Sequence, residues 1–337
     1  MAVSTTRLNR VASFVLEKAV PKISNEIARN DGIVAVLGSK GRIKIDDGGD
    51  LFETRVEYGE NSNFAFRSKL DQIPTNHQDS WLTAKYGQAT LSGSAVLNKV
   101  EAAQNQGEYA ISRMIEGMVE NAKHTAIRKV ADALRAATPG SNDPESIPSL
   151  ISTTAFGSQT GSTGGLNRAT YNTWWQNQMS STAADLSANT GVETVMGFYW
   201  NNCSKGTSLA EQPDFGLTTG LMFAALSAFG DNQRQYIKSE EMEKLGFTSI
   251  KILNASIIAD PSITAGYLYL LNTNGLAIHV LRTPQMSTIG DTSQSIPFSV
   301  GEFRDDIDTL NSVALMHVTL NLVASSLQRQ GVLTGCV

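Results

Sequence analysis

The segment EYAISRMIEGMVENAKHTAIRKVADALRAA, residues 108–137, does most to decide the fold of this chain. Its apolar side chains recur at three- and four-residue steps, which is the spacing of one face of an α-helix. Thr138-Pro139-Gly140 follows and is typical of a helix end. At 1.5 Å per residue the helix would be about 45 Å long. A helix of this length predicts a spine on which the other elements are arranged.

The helical pattern extends back to Asn98, where Asn98 and Glu101 resemble a capping box. We expect Gly107 and Gly117 to let the helix bend, because each glycine costs about 1 kcal/mol relative to alanine. The Met and Ile side chains of the stripe are interpreted as core packing rather than as a cofactor site.

Strand-like alternation precedes this helix. Three stretches have the two-residue period of half-buried strands, namely residues 51–58, 63–70 and 81–91. Together they predict a long two-stranded arm over residues 50–95, with Phe64 and Phe66 on one of its faces. A lone two-stranded arm is marginal in water. The arm is therefore expected to dock either on another subunit or on its own domain, and the pattern favours neither.

The remaining pattern mixes helices and short strands without a regular alternation, so the fold class is α+β. Asn274-Gly275 is a strong hairpin signal between two of the strands. We expect helices at residues 7–29, Val192–Tyr199 and Gly220–Phe229. Strands are expected at Ile33–Leu37, Arg42–Ile45, Asp214–Thr219, Ser249–Leu253, Ser256–Ala259, Tyr267–Asn272, Leu276–Leu281 and Asn311–Asn321.

Composition excludes several classes of protein. The chain has 337 residues, of which 41% are hydrophobic, and this argues against a disordered chain or a coiled coil. Its net charge is −5 and there is no basic stripe, which disfavours sequence-specific nucleic-acid binding. No stretch approaches the roughly 20 apolar residues of a membrane span. Without a signal-like N-terminus, the protein is expected to be soluble and intracellular when it folds.

No motif with a known catalytic mechanism is present. The glycine-rich residues 157–165 lack the lysine of a phosphate-binding loop, and no histidine has a second ligand at metal-binding spacing. Cys203 and Cys336 are far apart and are interpreted as inert buried thiols. We therefore expect no catalytic, cofactor-binding or metal site, and no enzyme activity. A chain with a long arm and a spine helix is more typical of a structural protein that contacts other copies of itself.

The order of elements resembles the major capsid proteins of tailed bacteriophages, with the Hong Kong 97-like coat fold. Short local segments are similar too: Asn105-Gln106-Gly107, Gly164-Gly165-Leu166-Asn167-Arg168 followed by Trp174-Trp175, Ala259-Asp260-Pro261 followed by the apolar run from Tyr267, and the tail from Leu327 to Gly335. The resemblance implies an N-terminal arm (residues 1–49) and an extended β arm, or E-loop (50–97). It further implies a peripheral domain with the spine helix (98–180), and an axial domain with returning peripheral strands (181–337).

The resemblance also implies where subunits touch, with the E-loop of one subunit lying across the spine helix of its neighbour. That contact would cover Phe52, Phe64 and Phe66. Lys69 and Lys85 are the lysines of the arm that correspond by position to a covalent cross-link in some members. The interface candidates are Phe52, Phe64, Phe66, Arg67, Lys69, Trp81, Lys85, Arg168, Trp174 and Trp175.

As partners, the resemblance implies other copies of the chain, in hexamers and pentamers that close into an icosahedral shell around double-stranded DNA. The DNA would be held without sequence-specific contacts. Because little chain precedes the arm, a separate scaffolding protein is expected, together with a portal. The protein would be assembled in the host cytoplasm and reside in the virion capsid.

Three alternatives remain open from the sequence. An encapsulin-like nanocompartment shell would share the fold and enclose an enzyme cargo instead of a genome. A soluble enzyme could build its site from scattered polar residues. A different virion part, such as a tail or portal component, would form a ring without a closed shell.

Overall fold

The computed structural model describes residues 32–69, 71–100, 108–182, 185, 188–233, 248–283, 296–306 and 311–336. Its α-helices are α1 (Gly32–Ser39), α2 (Glu108–Arg135), α3 (Ile147–Leu150), α4 (Asn189–Phe198) and α5 (Gly220–Gln233). Its strands are β1 (Ile43–Asp46), β2 (Phe52–Glu57), β3 (Trp81–Tyr86), β4 (Ala89–Asn98), β5 (Ser162–Thr163), β6 (Leu166–Asn167), β7 (Gln178–Ser180), β8 (Phe215–Thr218), β9 (Ser249–Ile252), β10 (Ala255–Ala259), β11 (Leu268–Leu271), β12 (Leu276–Leu281), β13 (Ser299–Val300), β14 (Arg304–Asp305), β15 (Asn311–Ala324) and β16 (Gly331–Leu333). The helix expected at residues 7–29 lies outside the described residues.

Strand β15 is the centre of the first sheet, where β4, β12, β13 and β14 all pair with it. Ten residues of β4 run antiparallel beside β15, and β1 joins the sheet as a parallel neighbour of β12. Ala314, Met316 and Val318 point into the core, whereas Leu315 is exposed on the opposite face. This is the alternation predicted for residues 311–321, and it puts the inner face of the sheet against helix α2.

The second sheet has the order β7-β16-β11-β8-β10-β9. Its central strands are buried along their whole length because the sheet separates two hydrophobic clusters. Phe215 and Leu217 face the larger cluster, which also contains the inner face of the first sheet. Leu268 and Leu270 face a smaller cluster that is closed by helices α4 and α5. The predicted α+β class is confirmed.

Helix α2 is the predicted spine. It has 28 residues and is therefore about 42 Å long. Ile115, Val130 and Leu134 on its buried face pack against the first sheet and helix α3. At the end of β4 the Asn98 side chain accepts a hydrogen bond from the Val100 amide at 2.8 Å, as an N-cap does. Glu101 and Gly107, named in the predictions for this helix, lie outside the described residues.

Three local predictions are wrong. Residues 33–37 belong to helix α1 and do not form a strand. Every side chain in this short apolar run is buried, so its sequence has no periodicity that could distinguish a helix from a strand. Residues 63–69 form a loop rather than a strand. Asn274-Gly275 does not join a hairpin, since β11 and β12 belong to different sheets. There the Asn272 side chain accepts from the Asn274 amide at 2.9 Å and forms a 3₁₀ turn that redirects the chain.

Candidate assembly surface

Strands β2 and β3 form the paired part of an arm that leaves the body of the chain. They are antiparallel, with Phe52 opposite Tyr86 and Glu57 opposite Trp81. Residues 58–80 connect them, and we call this connection the arm tip. The paired part is shorter than the sequence predicts, because residues 89–98 join the first sheet as β4 instead of extending the arm.

The base of the arm is covered by its own chain. Phe52, Val56, Ala84 and Tyr86 are all buried within the larger hydrophobic cluster. The Phe52 ring lies 5.7 Å from the ring of His279, and the Tyr86 hydroxyl donates to the carbonyl of Ala324 at 2.9 Å. Phe52, proposed from sequence as an interface residue, therefore packs inside the chain. The strands that cover this face of the arm, β12 and β15, lie more than 200 residues away in sequence.

The arm tip has the opposite character, since three of its apolar side chains are strongly exposed. Phe64 is 85% exposed, Phe66 is fully exposed and Ile73 is 74% exposed. Single exposed apolar residues are ordinary, whereas several on one connection give exposed apolar surface of the kind found at interaction sites. Ile73 was not among the residues selected from sequence, because it falls outside the alternating strand pattern.

The tip is nevertheless folded by its own polar groups. The Arg67 guanidinium donates to the carbonyls of Asn63 at 3.0 Å and Gln72 at 3.1 Å, which joins the two sides of the loop. The Ser62 amide donates to the Gln78 side chain at 2.9 Å. These bonds hold a loop shape in which Phe64 and Phe66 are exposed to solvent. Arg67 thus acts on the shape of the tip.

The other arm residues selected from sequence are exposed. Trp81, at the start of β3, is 55% exposed. Lys69 lies on the tip with its side chain in solvent. The Lys85 ammonium is 3.1 Å from the Glu53 carboxylate across the two strands, and both side chains are about half exposed. An exposed pair of this kind contributes about 0.5 kcal/mol, so its role in stability is small.

Arg168, Trp174 and Trp175 lie in the body of the chain beside the arm, and two of them are buried. Arg168 is 3% exposed, and burial is the main cause that lowers its pKa. Trp175 is fully buried, and its indole nitrogen donates to the Thr163 carbonyl at 3.0 Å. Trp174 is half-buried and stacks on Tyr58 of the arm, with ring centroids 5.2 Å apart. Arg168 and Trp175 therefore stabilise the fold of one chain.

A groove of about 480 Å³ runs between helix α2 and strand β4. Its apolar lining includes Met118, Ala122, Ala126, Phe298 and Met316. Gly93 forms part of its wall opposite Met316, and a side chain added there would meet no atom within 4 Å. The sequence placed the Met stripe of α2 in the core, and only the pairing of β4 with β15 reveals that part of this stripe borders an open groove.

The described part of the chain contains no group of three or more metal-binding side chains. None of its helices is long and apolar enough to span a membrane. The two cysteines are free and buried. Burial raises the pKa of the Cys336 thiol to about 11 and moves the pKa of Cys203 in the same direction. Thiols with a raised pKa are poor nucleophiles, which agrees with the interpretation of both as inert.

Comparison with known proteins gives no match in sequence and clear matches in structure. No protein-family model and no curated protein matches the chain. The structure is similar to the capsid of cyanophage A-1(L), with a TM-score of 0.62 and 13% identity over 90% of this chain and 92% of that chain. It is also similar to the capsid of the native GTA particle, with a TM-score of 0.55 and 10% identity over 90% and 91% of the two chains.

A third similar structure is the capsid of Myoviridae phage XM1, with a TM-score of 0.50 and 11% identity over 89% of this chain and 91% of that chain. Identities this low establish a shared fold and carry no residue-level roles. The chain has the Hong Kong 97-like fold of tailed-phage major capsid proteins, as the resemblance in sequence predicted.

Proposed function

We propose that this chain is a major capsid protein that self-assembles as hexamers and pentamers into an icosahedral shell enclosing double-stranded DNA. The observation that carries the proposal is the likeness to phage capsid structures over about 90% of the chain, with nearly the whole of those chains also covered. A fold can host several functions. The exposed arm tip supports assembly as the function in this case.

The arm, equated here with the E-loop, would make the contact between neighbouring subunits. Phe64, Phe66 and Ile73 are strongly exposed, and a neighbouring subunit that covers them would remove that surface from water. At about 2 kcal/mol for each buried Phe side chain, the tip would contribute several kcal/mol to every contact. A ring built this way joins two different patches of the same chain, so the contact is heterologous and closes around an axis.

The groove between α2 and β4 is the proposed receiving surface on the neighbour. Its lining is mostly apolar, and it is bordered by the spine helix. Its volume is within the range of pockets that bury most of a small apolar group. Phe64 and Phe66 would find mostly apolar walls there, with Lys129 as the one charged side chain among the described lining residues.

Substitution of Gly93 tests this groove at a single position. Gly93→Ala is expected to raise the free energy of unfolding by about 0.5 kcal/mol, because alanine fits the open space and restricts the unfolded chain. Gly93→Trp would fill the groove and block assembly while leaving the monomer folded. Thermal unfolding and sedimentation of both variants measure the two effects. Normal shells from Gly93→Trp would contradict the proposed receiving surface.

The proposal assigns a structural role and not an enzymatic one. The described thiols have raised pKa values and no other nucleophile stands out from the described residues. Partners would be a separate scaffolding protein and a portal during assembly, and packaged DNA without sequence-specific contacts. The net charge of −5 is compatible with a shell that does not grip its DNA. The location would be the virion capsid, after assembly in the host cytoplasm.

Electron microscopy of the purified protein with its natural contents tests the function. Closed icosahedral shells that hold genome-length DNA are the expected result. Shells that hold an enzyme cargo would identify an encapsulin-like compartment instead. Open rings would indicate a portal or tail component. Dispersed monomers, with scaffolding protein supplied, would overturn the proposal and favour the soluble enzyme.

A further inference from the structure

A second contact fixes the arm, and it is made by residues 161–175 of the body, which we call the cradle. Its turn, Gly164-Gly165, joins strands β5 and β6 with positive φ angles of 57° and 71°. The Gly164 carbonyl accepts a hydrogen bond from the Lys85 amide of strand β3 at 2.8 Å. A side chain on Gly164 would come within 2.8 Å of the Tyr86 ring and 3.0 Å of Ala84. The turn therefore lies directly against the arm.

The far end of the cradle holds the arm at a second point. Trp174 stacks on Tyr58, where strand β2 passes into the arm tip, with ring planes inclined by 21°. Trp174 is itself supported by Tyr171 at 4.9 Å and by Trp175 at 5.7 Å between ring centroids. The cradle thus touches β3 near the base of the arm and the end of β2 where the tip begins. These contacts add to the core packing of the arm strands, and the stack of Trp174 on Tyr58 is the one that lies nearest to the tip.

The cradle can hold the arm because it is internally rigid. The buried Arg168 guanidinium donates to Thr163 Oγ1 at 2.8 Å, Gln159 Oε1 at 3.1 Å and the Leu150 carbonyl at 2.6 Å. The Arg168 carbonyl accepts from the Gln176 side chain at 2.8 Å. A buried cation that is saturated by neutral oxygens leaves its loop few alternative conformations, because any rearrangement would expose an unsatisfied charge to the interior.

We propose that the cradle sets the direction of the arm in the free subunit, before any neighbour is present, and that Tyr58, Gly164 and Trp174 are positioning residues for assembly. This rests on the proposed function. An arm that already has its bound direction loses less conformational entropy when a neighbour binds. The free-energy cost of each subunit contact is therefore lower. Phe64 and Phe66 touch the neighbour, whereas the cradle acts only through the arm.

The Lys85 amide provides the decisive measurement, since its hydrogen-bond acceptor is the cradle itself. Its hydrogen exchange is measured by NMR in the unassembled protein for wild type, Tyr58→Ala, Tyr58→Phe and Gly164→Ala. We expect exchange about tenfold faster in Tyr58→Ala, the upper end of what an aromatic pair contributes. Gly164→Ala should exchange faster still. Tyr58→Phe keeps the stack and should match wild type.

Trp200→Ala is the matched control. Trp200 is also half exposed and contacts one tyrosine ring, Tyr199, but it lies in the π-helical turn Tyr199–Cys203 after helix α4. Its loss should leave Lys85 exchange unchanged. Amides of β10, in the second sheet, should exchange at the wild-type rate in Tyr58→Ala, which separates a loosened arm from a loosened fold.

Assembly of the same variants is then followed by light scattering with scaffolding protein. We expect Tyr58→Ala to assemble at least tenfold more slowly than wild type and Tyr58→Phe, with irregular particles by electron microscopy. Unchanged Lys85 exchange in Tyr58→Ala and Gly164→Ala would overturn the proposal, as would normal assembly by a variant whose Lys85 exchange has risen. Failure of wild type to assemble at all would refute the proposed function, while the exchange data would still decide whether the cradle fixes the arm.

Discussion

At the scale of single residues, exposure separates two kinds of aromatic side chain on the arm. Phe52 is 1% exposed and belongs to the core, whereas Phe64 and Phe66 project into solvent. The same residue type on the same arm therefore serves two purposes. Loss of Phe52 damages the monomer, and loss of the tip aromatics damages only what the monomer binds.

The double variant Phe64→Ser, Phe66→Ser tests this division. We expect its melting temperature to stay within about 2 °C of wild type, because exposed side chains contribute little to the fold. We expect shell formation to be lost, since each contact loses about 4 kcal/mol of apolar burial. Calorimetry and electron microscopy measure the two effects. The matched variant Phe64→Leu, Phe66→Leu should still assemble, and intact shells from the serine variant would contradict the role of the tip.

Burial of Tyr199 makes a second residue-scale prediction, on alkaline stability. Burial raises the pKa of the Tyr199 phenol from 10.0 to about 12, and its hydroxyl donates to the Pro213 carbonyl at 2.9 Å. The unfolded chain ionises first, so this contribution to stability is complete below pH 10 and is lost as the pH rises towards about 12. Tyr199→Phe should therefore lose stability less steeply between pH 10 and 12. Equal slopes in denaturant titrations would contradict this.

At the scale of elements, prediction from sequence succeeds where the pattern is long or regular. Helix α2 and strand β15 each carry enough periods to be identified, and both are confirmed. The pattern predicts a strand at Ile33–Leu37, where helix α1 forms, because these five residues are all apolar and show neither period. The 3₁₀ turn after Asn272 was predicted as a hairpin because its dipeptide signal is local, whereas the destination of β12 depends on strands far away in sequence.

Gly117 on the spine helix gives a prediction at this scale. A side chain at Gly117 would meet no atom within 4 Å, so the glycine is not required by packing. Gly117→Ala should raise the free energy of unfolding by about 1 kcal/mol. If the glycine is present to let α2 bend, the variant should also give fewer closed shells. Calorimetry with particle counts tests both, and a more stable variant with normal shells would show that Gly117 has no such role.

At the scale of the whole molecule, one buried ion pair ties the spine helix to the second sheet. Arg135, at the end of α2, pairs with Asp260, which follows β10, and both side chains are nearly buried. Asp260 also accepts from the Ser262 amide at 3.0 Å. The pair therefore connects helix α2, which packs against the first sheet, with the second sheet.

Asp260→Ala should lower the free energy of unfolding by about 3 kcal/mol, because it removes the buried carboxylate that pairs with the Arg135 cation. The control is Asp132→Ala, which removes an exposed pair with Arg128 on the same helix and should change stability by less than about 0.5 kcal/mol. Chemical denaturation of both variants measures the difference. Similar small effects in the two variants would contradict a structural role for the Arg135–Asp260 pair.

The candidate assembly surface can be predicted from sequence only in part, because much of it is formed by residues that are distant in sequence. The alternating pattern predicts an arm that carries Phe64 and Phe66, but it does not decide what covers them, and residues 63–69 form a loop rather than the predicted strand. The groove that is proposed to receive them cannot be predicted from a local pattern, because Gly93, Met118 and Phe298 come from three separate parts of the chain. The burial of Phe52, Arg168 and Trp175 likewise depends on contacts that no local pattern encodes.

The pairing of β4 with β15 has a mechanical consequence. Only Gly87 and Gln88 separate strand β3 of the arm from β4, so a pull on the tip reaches β4 through two residues. Where that pull runs along β4, all ten paired residues resist it together in shear, instead of separating one by one as in unzipping. A subunit that is tugged by its arm should therefore yield first at the tip, and the sheet that anchors the arm should be the last part to tear.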